Sequence, residues 1–358
     1  MMRGFEKART SRNSSATGAL SRSLRHLDQK PGGYMSVSKL LGAVCAVTIL
    51  AAPAFAQDYP ARQMTMVVPF SAGGPTDTVA RLLAERMSAD LGQQIIVENV
   101  TGAGGTLGAD RVAKAEPDGY TMLLHHMGLA TADTLYRSLP YKTLEAFEYV
   151  GQVVDVPMMI TARKDFEPND MAGFIDYVKA NAETLTLANA GIGAVSQLCG
   201  MLLMHSLDAQ LTTVPYKGTG PAMTDLLGGQ VDILCDQTTN TTQQVQGGTI
   251  KAYAVTTGER LDLFPDLPTA VESGLPDMEL AVWHGIYTPK GTPSEVNLRL
   301  SESLKKALAD EGVIKSLAEL GSTPVAPELA TPEALKSHVE AEVARWKPII
   351  EAAGVYAD

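Results

Sequence analysis

Cysteine, basic charge and long apolar runs are all scarce in this chain. Three cysteines in 358 residues are too few for a disulfide framework. Cys45 falls inside an apolar N-terminal run, which leaves Cys199 and Cys235. Those two could pair in an oxidising compartment, yet the sequence does not supply their separation. Charged residues make up only 19%, and 40 Asp+Glu against 29 Lys+Arg give a net charge of -11. Such a field repels polyanions, so no nucleic-acid partner is expected. G-x-S-x-G, H-E-x-x-H and C-x-x-C are missing, which removes a nucleophile elbow, a standard zinc site and a dithiol motif. No metal and no cofactor is expected. There is also no low-complexity linker and no repeat at a fixed period of 20 to 50 residues.

What is present is apolar material, 45% of the chain, enough for the cores of two ordinary domains. Charge is unevenly placed. Residues 1–56 hold eight of the 29 bases and two of the 40 acids, so 21 bases face 38 acids in the rest. Within that basic start, Lys39 precedes an uncharged stretch from Leu40 to Ala52, then Pro53 and Ala54-Phe55-Ala56. The stretch is shorter than the roughly 20 apolar residues of a membrane anchor. Its order of basic, apolar and small-x-small segments predicts a signal peptide cleaved after Ala56, with Met35 as an alternative start, and export to the periplasm. Val44 before Cys45 argues against lipid anchoring.

From residue 57 onward, short β-branched runs alternate with longer amphipathic stretches, the pattern of α/β units. The first series predicts strands over 64–70, 94–100 and 121–125 with helices over 76–91 and 105–115. The second begins with a long strand over 150–162 and runs to 256; beyond Pro293 the chain reads as nearly all helical. Two series without a flexible linker predict two α/β lobes joined by continuous chain. The long apolar stretches at 150–162 and 280–287 are candidates for crossing strands. The expected division is 57–158 plus 283–358 for one lobe and 159–282 for the other, with a ligand cleft between them.

Three glycine- and hydroxyl-rich corners stand between a strand and a helix. Corner one is Pro69-Phe70-Ser71-Ala72-Gly73-Gly74-Pro75-Thr76-Asp77, corner two spans Gly102-Ala103-Gly104-Gly105-Thr106, and corner three is Asn189-Ala190-Gly191-Ile192-Gly193-Ala194-Val195-Ser196. Glycine allows close backbone approach, and a helix N-terminus offers unpaired N–H groups and partial positive charge to an anion. The simpler reading is tight corners with Ser71 or Thr76 as ordinary N-caps. Corners one and three, from different series, could face each other across a crevice. Corner two is G-x-G-x-x-x-G, and the strand ending at His126 lacks the acid that holds a ribose, so it does not predict a nucleotide site.

His125 and His126 are adjacent on a strand and point to opposite faces, so at most one looks into a crevice. His205, His284 and His338 read as packing or surface residues, and Trp283 and Tyr287 as packing between lobes. Asp236 ends a strand just before Gln237-Thr238-Thr239-Asn240, either as a cap or as a ligand contact suited to an ammonium, hydroxyl or bridging water.

These stretches, together with Tyr59-Pro60, Val97-Glu98-Asn99, Pro117-Asp118-Gly119-Tyr120-Thr121, Val214-Pro215-Tyr216-Lys217-Gly218, Asp225-Leu226-Leu227-Gly228-Gly229-Gln230-Val231 and Pro289-Lys290-Gly291-Thr292-Pro293, resemble the Bug-type solute-binding proteins of tripartite tricarboxylate transporters. The resemblance runs from about Tyr59 to Gly354. It implies a monomeric two-lobed periplasmic binding protein that closes on a small carboxylate and delivers it to membrane permease subunits, without turnover. It also implies a ligand site bordered by Phe70, Ser71, Gly73, Gly74, Thr76, Asp77, His126, Gly128, Gly191, Gly193, Ser196 and Asp236. Many members carry Thr or Ser after the second glycine of corner three and His after its serine; here Ala194, Val195 and Gln197 stand instead, which predicts a less polar distal part of the ligand. Di- and tricarboxylates, aromatic acids and acidic amino acids all remain open. Two other functions stay open as well: a secreted α/β hydrolase or metal-dependent enzyme using His125 or His126 with Asp236, and a ligand-binding input of a sensor system.

Overall fold

The computed structural model describes residues 59–354, 356 and 357. The basic and apolar N-terminal segment, and with it the cleavage expected after Ala56, lies outside the described residues.

Met-Thr-Met-Val-Val buries both its faces, as a strand covered by helices must, and forms β1 (Met64–Val68). Proline then withholds an N–H from the ladder, so the strand stops at Val68, two residues earlier than its β-branched pattern predicts. β2 (Ile95–Asn99) and β3 (Thr121–His126) pair with β1 in parallel, connected through α1 (Pro75–Leu91) and α2 (Thr106–Ala113). α1 starts with Pro75 in its first turn and ends at Gly92, whose left-handed φ of 69° closes the helix. After β3 the chain forms two helices that the sequence pattern does not announce, α3 (Gly128–Leu135) and the single turn α4 (Thr143–Ala146).

β4 (Phe147–Arg163) is the longest strand and changes partners along its length. Its first part, to Pro157, runs antiparallel to β9 (Ala281–Pro289); from Met158 it pairs with β7 (Ile233–Gln237) on one side and β8 (Ile250–Val255) on the other. Register shifts at Tyr149/Gly151, Gln152/Val154 and Ile160/Thr161 bend it on the way. β5 (Thr186–Asn189) is parallel to β7 and to β6 (Thr212–Pro215). The sheet order is therefore β2-β1-β3-β9-β4-β7-β5-β6, two parallel flanks joined by the antiparallel pair β9 and β4. This is a two-lobed α/β architecture.

On the second flank lie α5 (Met171–Asn181), α6 (Val195–Leu207), α7 (Thr219–Leu227) and α8 (Thr238–Gln246). The C-terminal stretch supplies α9 (Ser294–Leu308), α10 (Glu311–Glu319) and α11 (Pro332–Ala353). It is not wholly helical: Thr323–Pro324 forms the short strand β10 against β4. A continuous buried core runs from β1 to α11, and a smaller one, with Met223, Leu226 and Leu234, lies under α7. Among the described residues no helix is long and apolar enough to cross a membrane.

Candidate functional site

Corner one is rigid because Asp77 is fully engaged. Its carboxylate accepts from the Gly73 N–H, from Arg81 at 2.8 and 2.9 Å and from Asn99 Nδ2, which also donates to the Phe70 carbonyl. Burial alone would raise the Asp77 pKa, but Arg81, Gly73 and Asn99 together hold it below the usual carboxylate range. Asp77 therefore shapes the corner. Neither Ser71 nor Thr76 caps α1: the N-cap is Gly74, with no side-chain cap hydrogen bond. Ser71 donates its N–H to the Lys217 carbonyl, and its buried hydroxyl has no partner.

Corner three is built the same way from the opposite flank. Asn189 Oδ1 accepts from the Gly191 N–H, Ser196 Oγ accepts from Ala190 N–H at 2.8 Å, and Ala194 stands at the uncapped N-terminus of α6. Gln197 reaches back to the Gly193 N–H. Cys199, one turn beyond Ser196, is disulfide-bonded to Cys235 on β7, with Cα atoms 6.1 Å apart. The bond ties together the two elements that carry Ser196 and Asp236.

Three histidines lie beneath corner one. His126 stacks on Phe70 and accepts the Gly128 N–H on Nδ1. His125 points elsewhere, its ring edge-on to Phe70, so only one of the adjacent pair looks into the cavity. His284, read from sequence as packing, sits 3.2 Å from the Thr76 hydroxyl through Nε2. Burial drives His125 and His284 down to about 3 and His126 well below its ordinary value, so all three are neutral at physiological pH. Opposite them, burial pushes Asp236 up to about 6, opposed by Asn240, the Gln237 N–H and the nearby Thr219 hydroxyl. Trp283 and Tyr287 face neither group: Trp283 bonds Glu342 on α11, and Tyr287 packs on Phe147 and Tyr149.

Phe70, Thr76, His126, Ser196 and Asp236 line one buried cavity, with Thr219 and Gln237 among its further walls. Its free space is about 10 Å³, on the order of a single water. An outer cleft of about 610 Å³ adjoins it across Phe70 and Ala190, lined in part by corner two, Gly191, Tyr136 and Lys217. Ser71, Gly73, Gly74, Asp77, Gly128 and Gly193 line neither space and form the shell behind it. Thr219 and Gln237 are additions that sequence reasoning did not single out. Their signal was present in Gly218, whose φ of 142° turns the chain into α7, and in the polar run after Asp236.

Four helices thus begin at this cavity. Pro75 and Thr76 open α1, Val195 and Ser196 open α6, Thr219 opens α7, and Gln237 is the N-cap of α8; none of the four has a side-chain cap hydrogen bond. No Lys or Arg lines the cavity, so the positive charge it can offer an anion is that of the backbone dipoles. Among the described residues no three His, Cys, Asp or Glu side chains are grouped closely enough to hold a metal ion.

Comparison with known proteins agrees with this architecture. Residues 79–355 match the family model described as "Tripartite tricarboxylate transporter family receptor". A UPF0065 protein of Agrobacterium vitis, from the TAR-I ttuE-ttuC' intergenic region, is 53% identical over 88% of this chain and 92% of its own length. Protein BugT of Bordetella pertussis is 34% identical over 89% and 99%. Among solved structures, the periplasmic binding protein BugD is 52% identical with a TM-score of 0.82, covering 84% of this chain and all of its own. MatC of Rhodopseudomonas palustris, solved with bound malate, is 41% identical with a TM-score of 0.79, covering 82% of this chain and all of its own. An enzyme using His125 or His126 with Asp236 is set aside by these relatives, which are solute-binding receptors. Both the match over most of the chain and the two-lobed fold lead to one assignment: the chain belongs to the tripartite tricarboxylate transporter receptor family.

Proposed function

We propose that the protein is exported to the periplasm, captures a small carboxylate in the cavity between its lobes as a monomer, and delivers it to the membrane permease subunits of a tripartite transporter. The observation that carries this reading is the convergence of four helix N-termini without side-chain caps on one buried cavity. Unpaired first-turn N–H groups and the positive ends of helix dipoles bind anions, and a carboxylate is the anion that related structures point to: MatC was solved with malate and another R. palustris relative, 33% identical, with adipate.

In this reading Thr76, His126, Ser196 and Asp236 contact the ligand, with Phe70 as its apolar wall. Ser71, Gly73, Gly74, Asp77, Gly128, Gly191 and Gly193 hold the surrounding backbone in place. The hinge lies where β4 changes partner, between Pro157 and Met158, and where β9 begins. In this reading 57–158 plus 283–358 form one lobe and 159–282 the other, and lobe closure is a hinge motion. Because the inner cavity is so small as it stands, a ligand enters the open form and a longer one extends toward the outer cleft.

The test is thermal melting of residues 57–358 against malate, adipate, an aromatic acid and an acidic amino acid, each beside its amide or ester. A ligand at 100 times its Kd stabilises by about 2.7 kcal/mol, which shifts Tm by several degrees. A shift with an acid and none with its amide supports the proposal. Shifts only with metal ions or nucleotides, run as controls, would overturn it.

A further inference from the structure

Asp236 is a puzzle inside an anion site. It is buried to 1% exposure, lines the same cavity as the four helix starts, and has no cation for a partner; its neighbours are Asn240 Nδ2 at 2.6 Å and the Gln237 N–H. A ligand carboxylate seated on those helix ends would therefore share the cavity with a second carboxylate.

No other group around it can relieve that repulsion. On corner one, Asp77 is turned away to Arg81 and Asn99. From β3 and β9, His126 and His284 are neutral. On β4, Met159 pairs with Asp236, and four residues to either side of it stand Asp155, which accepts from Gln152 and brings no positive charge, and Arg163, paired with Asp165 and Asp232; on β8 Lys251 is held by the Phe166 and Pro168 carbonyls. α6 contributes Cys199, in its disulfide, and His205 near its distant C-terminus. On α7 Asp225 accepts from the Tyr216 hydroxyl, Lys217 opens on the outer cleft, and α8 carries no titratable side chain.

We propose that Asp236 takes up a proton when a carboxylate enters this cavity, so that capture is coupled to proton binding. This rests on the carboxylate reading above. Two carboxylates about 4 Å apart at an effective dielectric of about 20 weaken each other's binding roughly a thousandfold. Protonating Asp236 first costs far less. From a pKa of about 6, the penalty at pH 7.5 is about thirtyfold. The helix dipoles act on both carboxylates and do not cancel their mutual repulsion. A protonated Asp236 also turns from an acceptor into a donor for the ligand oxygen.

The sign of the linkage is fixed by these relations. At pH values where free Asp236 is ionised and bound Asp236 is not, each pH unit weakens binding about tenfold; at pH values where both forms are protonated the dependence vanishes. The experiment is calorimetric titration of the mature chain, residues 57–358, with malate and adipate from pH 5.5 to 8. It is repeated at pH 7.5 in buffers of different ionisation enthalpy, which gives the number of protons exchanged. Close to one proton taken up at pH 7.5, and a Kd rising about tenfold per unit between pH 6.5 and 8, are expected. Asp236→Asn should bind without proton uptake, independently of pH, and more tightly than the unsubstituted chain at pH 8.

Binding with no net proton uptake overturns the proposal and leaves the carboxylate reading intact, as does uptake that persists in D236N. Absence of binding by both acids across the whole pH range overturns the carboxylate reading and this inference with it. The measurements on the unsubstituted chain decide the matter even if the variant does not fold.

Discussion

The hydroxyl of Ser196 accepts the Ala190 N–H, which leaves its own proton free to point into the cavity. Ser196→Ala removes both roles at once. It should lower stability by about 1 kcal/mol for the orphaned buried N–H and weaken carboxylate binding by roughly tenfold, measured by denaturant unfolding and by calorimetry on the same sample. Thr76 is set up in a parallel way. The Thr76 hydroxyl and Nε2 of neutral His284 share a hydrogen bond that holds the threonine at the cavity wall, and no spacing rule could have linked residues 208 positions apart. Asp236 makes the opposite contribution to the free protein. Its folded pKa of about 6 exceeds the 3.8 of an exposed aspartate, so ionising it costs stability, with no penalty below about pH 4 and the full penalty above pH 6. Asp236→Asn should accordingly raise the stability of the ligand-free protein by about 3 kcal/mol at pH 8 and leave it unchanged at pH 4, read from urea midpoints at the two pH values.

At the scale of elements, the corners are what sequence discloses best. Glycine, proline and hydroxyls after a β-branched run mark where a strand gives way to a helix, and corners one and three were legible for that reason. Whether Thr76 or Ser71 merely caps a helix was not legible, since a capping serine and a ligand-binding serine have the same local sequence; the N-caps turn out to be Gly74 and Ala194, which have no side-chain acceptor to offer. α7 and α8 were not legible as walls of the site, because their placement depends on β4 carrying both β7 and β9. The pairing of Cys199 with Cys235 was also beyond sequence. It depends on α6 packing across β7, a contact between elements with no local signature. That disulfide closes a loop with a sequence separation of 36, for which chain entropy gives about 4 kcal/mol. Replacing both cysteines by serine should cost a similar amount, seen as a lower urea midpoint. Since the bond joins the elements bearing Ser196 and Asp236, the loss should also weaken carboxylate binding in conditions where the variant is still fully folded.

For the whole molecule, the three corners meet across the cleft. Ser71 donates to the Lys217 carbonyl, the Tyr136 hydroxyl donates to the Ile192 carbonyl at 2.5 Å, and corner two packs directly on corner three. Gly104 is the tightest point of that contact: a Cβ there would run into the Ile192 carbonyl. Corner two looks from sequence like a failed dinucleotide loop, and its Gly104 permits this backbone approach between the corners that follow β2 and β5, which lie on opposite flanks of the sheet. An alanine at Gly104 meets two costs. Its φ of 59° adds about 1 kcal/mol, and under the hinge motion proposed above the collision with Ile192 is met only when the lobes are shut. Gly104→Ala should therefore bind a carboxylate at least tenfold more weakly, since closure supplies part of the binding free energy, while lowering the stability of the free chain only slightly. Gly92→Ala provides the matched control: its φ is 69° and nothing lies within 4 Å of the added carbon, so it carries the same backbone strain with no effect on closure. Small-angle scattering with and without malate should show contraction for the parent and for G92A, and none for G104A; contraction of all three would mean that the contact between corners two and three does not govern closure.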